Sequence, residues 1–66
     1  MLHNLLAEMA RQNIKRKEIR ALLDISERTL YSKINGNSGF TLAEALLIQK
    51  TYFPELSVDY LFEQAE

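Results

Sequence analysis

Arg28, Tyr31, Ser32 and Asn35 fall at i, i+3, i+4 and i+7, the spacing that lines side chains along one stripe of an α-helix. A guanidinium fork, a phenol, a hydroxyl and a carboxamide in that stripe could donate to and accept from flat heterocycle edges and phosphate oxygens. Upstream, Arg11, Lys15, Arg16, Lys17 and Arg20 concentrate positive charge within ten residues. A basic cluster beside such a stripe has the chemistry of phosphate contact, although a solvated helix surface has the same composition. Other chemistries lack their residues. HExxH, CxxC, P-loop and serine-elbow patterns do not occur, and His3 has no second group with which to form an acid–base pair. Nine acidic residues leave a carboxylate dyad open, but a core this small encloses scarcely any cavity. No catalytic residue, metal ligand, cofactor or small-molecule ligand is expected, and the chain is not expected to be an enzyme.

Composition bounds the scaffold that must hold these groups. Sixty-six residues fit a single domain over 1–66, and 47% apolar with 26% charged residues is a globular balance. Cysteine is absent, so helix packing or self-association has to supply the stability that disulfides or a thiolate-bound metal would give. No apolar run approaches membrane-spanning length, and Met1-Leu2-His3-Asn4 lacks the basic region and hydrophobic stretch of a secretory signal. A cytoplasmic protein with no membrane partner is the expectation. Net charge is only -1, yet it is unevenly spread. Residues 1–33 hold seven basic against four acidic side chains, a net of +3, while residues 34–66 hold Lys50 against five acidic ones, a net of -4. That split would orient the molecule in the field of a polyanion, basic end inward.

Apolar spacing and capping residues predict five helices. Leu2, Leu5, Leu6 and Met9 share a face over 2–12, with His3 off it on the surface. After a break at Asn13-Ile14-Lys15, a second helix spans 16–23, burying Ile19, Leu22 and Leu23. Lys15 stands where a capping Ser, Thr, Asp or Asn belongs, leaving only Glu18 of a capping box. Asp24-Ile25-Ser26 makes a three-residue turn. Ser26 then caps a third helix over 27–35, anchored inward by Leu30 and Ile34, stapled by Ile25 to Leu30 and closed by Gly36. Thr41 and Glu44 form a complete capping box for a fourth helix over 42–52, with Phe40 placed to staple onto Ala45. That helix is apolar around its circumference, which predicts a largely encircled element with Leu42, Ala45, Leu46 and Phe53 inward and Leu47 as leftover exposed surface. Pro54 ends it, and Ser57 caps a short fifth helix from Val58 to about Gln64.

Two helices joined by three residues, the first basic outside and the second displaying Arg28, Tyr31 and Ser32, match the helix-turn-helix arrangement. Together with Lys17-Glu18-Ile19, Leu22-Leu23, Ile25 through Gly36, Phe40 through Leu46, Ile48, Phe53-Pro54 and Leu61-Phe62, they make the chain resemble the lambda-repressor-like, or XRE/Cro-type, family of five-helix DNA-binding domains. The likeness is greatest to its small phage and prophage members in Gram-positive bacteria. It implies an all-α, compact five-helix domain that lays helix three in the major groove of DNA. It also implies base-reading positions at Glu27, Arg28, Tyr31 and Ser32 and phosphate contacts from Arg16, Lys17, Arg20, Asn35, Asn37 and Ser38. Arg28 would take guanine; Glu27, which only accepts, would take cytosine N4 or orient Arg28; Tyr31 would meet a phosphate or a thymine methyl. The family usually has alanine where Arg20 stands and glycine where Asp24 stands.

The expected function is therefore sequence-specific binding of double-stranded DNA by a phage-related, repressor-like regulator of transcription. Weak homodimerisation is expected through helices four and five, at Leu47, Tyr60 or Phe62, especially on DNA. The competing expectation is a protein–protein interaction module that keeps the fold without specific DNA binding, using the acidic half and the apolar excess near Leu47.

Overall fold

Capping residues set the helix boundaries. In a computed structural model, which describes residues 2–36 and 38–63, five helices follow one another: α1 His3–Arg11, α2 Arg16–Leu23, α3 Glu27–Asn35, α4 Leu42–Tyr52 and α5 Val58–Leu61. No strand occurs among the described residues. Ser26 Oγ accepts from the Thr29 N–H at 3.1 Å to open α3, and Ser57 opens α5 in the same way through the Tyr60 N–H at 3.1 Å. The Thr41–Glu44 capping box is complete, with bonds of 3.1 and 2.9 Å in its two directions. Gly36 closes α3 in the left-handed region at φ 90°, where a Cβ would be strained. Phe53, ahead of Pro54, ends α4. The fifth helix is shorter than its pattern predicts and stops at Leu61; Gln64 lies outside the described residues.

Asn13 and Asp24 both adopt left-handed backbone, at φ 57° and 56°. Short polar side chains tolerate this conformation better than others, so the two breaks that flank α2 fall on suitable residue types. At its other end α2 starts without a side-chain cap, because Lys15 has no acceptor to offer although its backbone is already extended as an N-cap should be. Lys15→Thr should therefore stabilise the domain by up to about 1 kcal/mol. A thermal melt with an unchanged midpoint would contradict this account of the helix start.

Leu2, Leu5, Met9, Ile19, Leu30, Ile34, Ile48, Phe53 and Leu61 form one buried cluster to which every helix contributes. Helix α2 packs on α3 and α4, and α5 packs on α1 and α4. The chain's beginning is tied to the end of α3 by the Leu2 N–H, which donates to the Ile34 carbonyl at 3.1 Å. The face of α4 differs from the one predicted. Ile48 is fully buried beside Ala45, whereas Leu42 is 70% exposed and Leu46 and Leu47 also reach solvent. The helix is not encircled; its rotation is fixed by polar contacts instead. Lys33 Nζ, nearly buried, bonds Glu44 Oε1 at 3.0 Å and the Gly39 carbonyl at 3.1 Å, pinning the start of α4 to α3. At the far end Gln49 Nε2 donates to the carbonyls of Phe53 and Leu56 at 3.2 and 2.9 Å. Phe40 sets its ring edge-on to Phe62 with centroids 5.1 Å apart.

Glu44 carries a pH dependence. The Thr41 N–H foremost, and then the Lys33 ammonium, favour the carboxylate and hold its pKa below the ordinary value of 4.5. Its contribution to stability is full above the unfolded-state pKa and is lost as pH falls through the folded one. Glu44→Gln should flatten the fall in unfolding free energy below about pH 4.5. Parallel acid titration curves for the variant and its parent would contradict that assignment.

Candidate nucleic-acid interface

The interface is built on the α2–turn–α3 unit. Leu30 and Ile34, at 0% and 1% exposure, seat one side of α3 in the core. The opposite side is thereby held outward: Arg28 is exposed, Tyr31 is 54% exposed, and Ser32 and Asn35 are half-buried at its margin. Arg28 makes no ion pair among the described residues, and no pairing with Glu27 or Asp24 occurs. Its fork is available along its whole polar edge. Ser38, exposed beyond the helix, has its N–H 3.4 Å from the Ser32 carbonyl, so the loop folds back toward the same end of α3. Asn37, the remaining loop residue named for phosphate contact, lies outside the described residues.

Helix α2 brings its basic residues to the start of α3. Lys17 is exposed and projects free of ion pairs among the described residues. Arg16, the first residue of α2, lies 6.0 Å over the Tyr31 ring, a cation–π contact that couples the two helices across the turn. Its Nη1 is also 3.6 Å from Glu27 Oε1, while Arg20 Nε is 3.1 Å from Glu27 Oε2. The second contact is short, but the buried Nε–H is not aimed at the oxygen and has no hydrogen-bond acceptor. We therefore read it as a charge contact without a hydrogen bond. Glu27 thus forms no ion pair with Arg28 in this structure. Its carboxylate stands between two arginines of the preceding helix.

No family model, curated protein or solved structure matches the chain. The site's meaning has to come from its own geometry. The outward side of α3 is exposed surface, whereas a cleft of about 290 Å³ lies elsewhere, lined by Glu8, Gln12, Tyr52, Phe53, Pro54, Glu55 and Leu56, with no residue of α2 or α3. No described helix is long and apolar enough to cross a membrane.

The residues named for self-association differ in their surroundings. Leu47 is 43% exposed on α4, with Leu42 and Leu46 exposed on the same helix. Phe62 is half-buried against Phe40, and Tyr60, though 37% exposed, donates its hydroxyl to Glu8 Oε2 at 2.8 Å. Glu8 is buried, paired also with Arg11, and so anchors α5 onto α1. Sequence spacing gave no sign of this carboxylate, because its phenol partner lies 52 residues away. Lys33 was likewise indistinguishable from the other cations, although its position on the inner margin of α3, one residue before the anchor Ile34, is a signal that it faces a neighbouring element.

Proposed function

We propose that the protein is a sequence-specific binder of double-stranded DNA that inserts α3 into the major groove, in the manner of the lambda-repressor-like family, and regulates transcription at a promoter. The observation that carries this reading is the two-sided character of α3: fully seated through Leu30 and Ile34, outward through Arg28, which makes no ion pair among the described residues, with Tyr31 beside it. A major groove about 12 Å wide admits one helix held rigidly proud of its domain. Arg28 offers guanine O6 and N7 a bidentate donor, Ser32 and Tyr31 stand one turn on, and Glu27 at the first position can accept from a cytosine amino group. Arg16 and Lys17, with Arg20 behind them, face the phosphates on one flank, and Asn35 and Ser38 on the other. The domain would occupy operator DNA and exclude polymerase, the simplest regulatory outcome of such binding, as in phage-type repressors.

The test is a titration of labelled duplex from the region upstream of the protein's own gene at two salt concentrations. Binding tighter than to scrambled duplex, and weakened by salt, supports the reading. Absence of binding at low salt would sink it.

A second reading, a protein-interaction module on the same fold, is favoured by one observation: Glu27 partly neutralises Arg16 and Arg20, two of the cations a phosphate would need. Its surface would be the exposed leucines of α4. The same leucines support weak self-association. Sedimentation equilibrium should show a concentration-dependent dimer that Leu47→Glu abolishes; a monomer at high micromolar concentration, alone and on DNA, would contradict it.

A further inference from the structure

Arg16 and Arg20 belong to α2 and Glu27 to α3, so the carboxylate bridges the two helices at the edge a DNA backbone would approach. Part-exposed ion pairs contribute little to folding and Ser26 already caps α3, so the stability a carboxylate adds here is the modest interaction with the helix N-terminus. Its position matters in another way. A phosphate approaching Arg16 or Arg20 meets an anion already 3.6 and 3.1 Å from their nitrogens, and must either displace it or bind the remaining N–H groups against its charge. The Arg20 contact is poorly directed, so it opposes a phosphate by charge and yields without breaking an aligned hydrogen bond.

We propose that Glu27 is a built-in competitor for phosphate, a specificity-determining residue that suppresses attachment to arbitrary DNA by occupying Arg16 and Arg20. This rests on the DNA-binding reading above. On any duplex the carboxylate repels the backbone and withholds two cations; only a site that repays the displacement, through Arg28 and an amino group opposite Glu27, is bound tightly. Discrimination thus comes from a penalty applied everywhere and offset at the target.

Glu27→Gln keeps the shape of the side chain and removes the charge, and with Glu27 54% exposed in its side chain the fold tolerates it. The experiment compares wild-type protein, Glu27→Gln and Glu55→Gln on scrambled duplex across a salt series, with a thermal melt of each. Glu55→Gln makes the same change in net charge on the α4–α5 connection. The expected result is about a tenfold gain in affinity for scrambled duplex from Glu27→Gln at low salt, with log K falling more steeply against log salt by about one unit. Glu55→Gln should bind as wild type does. If wild-type protein binds and Glu27→Gln gains less than about twofold, or Glu55→Gln gains as much, the competitor role is overturned while DNA binding stands. If neither wild type nor Glu27→Gln binds any duplex at low salt, both are overturned. Binding of scrambled duplex by Glu27→Gln alone would support the competitor role in its strongest form, and wild-type recognition is then judged on duplex from the region upstream of its own gene.

Discussion

Leu30→Ala is expected to lower the unfolding free energy by about 3 kcal/mol, the cost of emptying a fully enclosed leucine site. A domain of this length has roughly 3 to 10 kcal/mol in total, so the loss is a large share of it. The melting midpoint should fall by roughly 15 °C or more, since each kilocalorie moves a small domain several degrees. The site has little freedom to collapse: the Leu30 N–H is bonded to the Ser26 carbonyl at 3.0 Å, and the side chain is packed in the cluster that all five helices share. Leu42→Ala is the matched comparison. The residue type is the same, but at 70% exposure the change should cost less than about 0.5 kcal/mol. A loss from Leu42→Ala as large as that from Leu30→Ala would mean that the rotation of α4 is misassigned, and a small loss from both would mean that the seat of α3 is.

Arg28→Ala is expected to cost about 1 to 3 kcal/mol in affinity for a target duplex and to relax preference at one base pair. The argument is geometric. Arg28 sits on the outward side of α3, makes no ion pair among the described residues, and so surrenders no internal contact when it meets a guanine. Arg16→Ala should weaken target and scrambled duplex alike, because a phosphate contact carries no sequence information. Equal losses on the two duplexes from Arg28→Ala would remove it from the list of base readers. The contrast between the two arginines is more informative than either value alone.

How much of this was legible in the sequence differs by element. The boundaries of α3 and α4 were readable because Ser26, Gly36, Thr41 with Glu44, and Pro54 mark them chemically, independently of tertiary structure. The inward side of α3 was readable for a similar reason: only Leu30 and Ile34 interrupt a polar helix. On α4 the same method misplaced Leu42 and Ile48. Apolar residues surround that helix, so periodicity names no face; the Lys33–Glu44 contact that ties its start to α3 spans elements and is not readable from spacing. The bond from Tyr60 to buried Glu8 was invisible because neither residue type demands it locally. In the candidate site, the outward stripe was legible from spacing alone. Glu27's attachment to Arg16 and Arg20 was not, since it depends on how closely α2 and α3 approach across Asp24, whose left-handed backbone sets the turn. Spacing thus placed the outward residues of α3 without showing which side chains of α2 and α3 hold one another.

The central claim, that α3 meets DNA through its outward stripe, is tested most directly by mapping backbone amide chemical shifts while a duplex selected for binding is added. The account predicts the largest changes at Arg28, Tyr31 and Ser32, with Arg16 and Lys17 following and the exposed leucines of α4 changing less. Changes centred on Leu42, Leu46 and Leu47, with α3 silent, would contradict it.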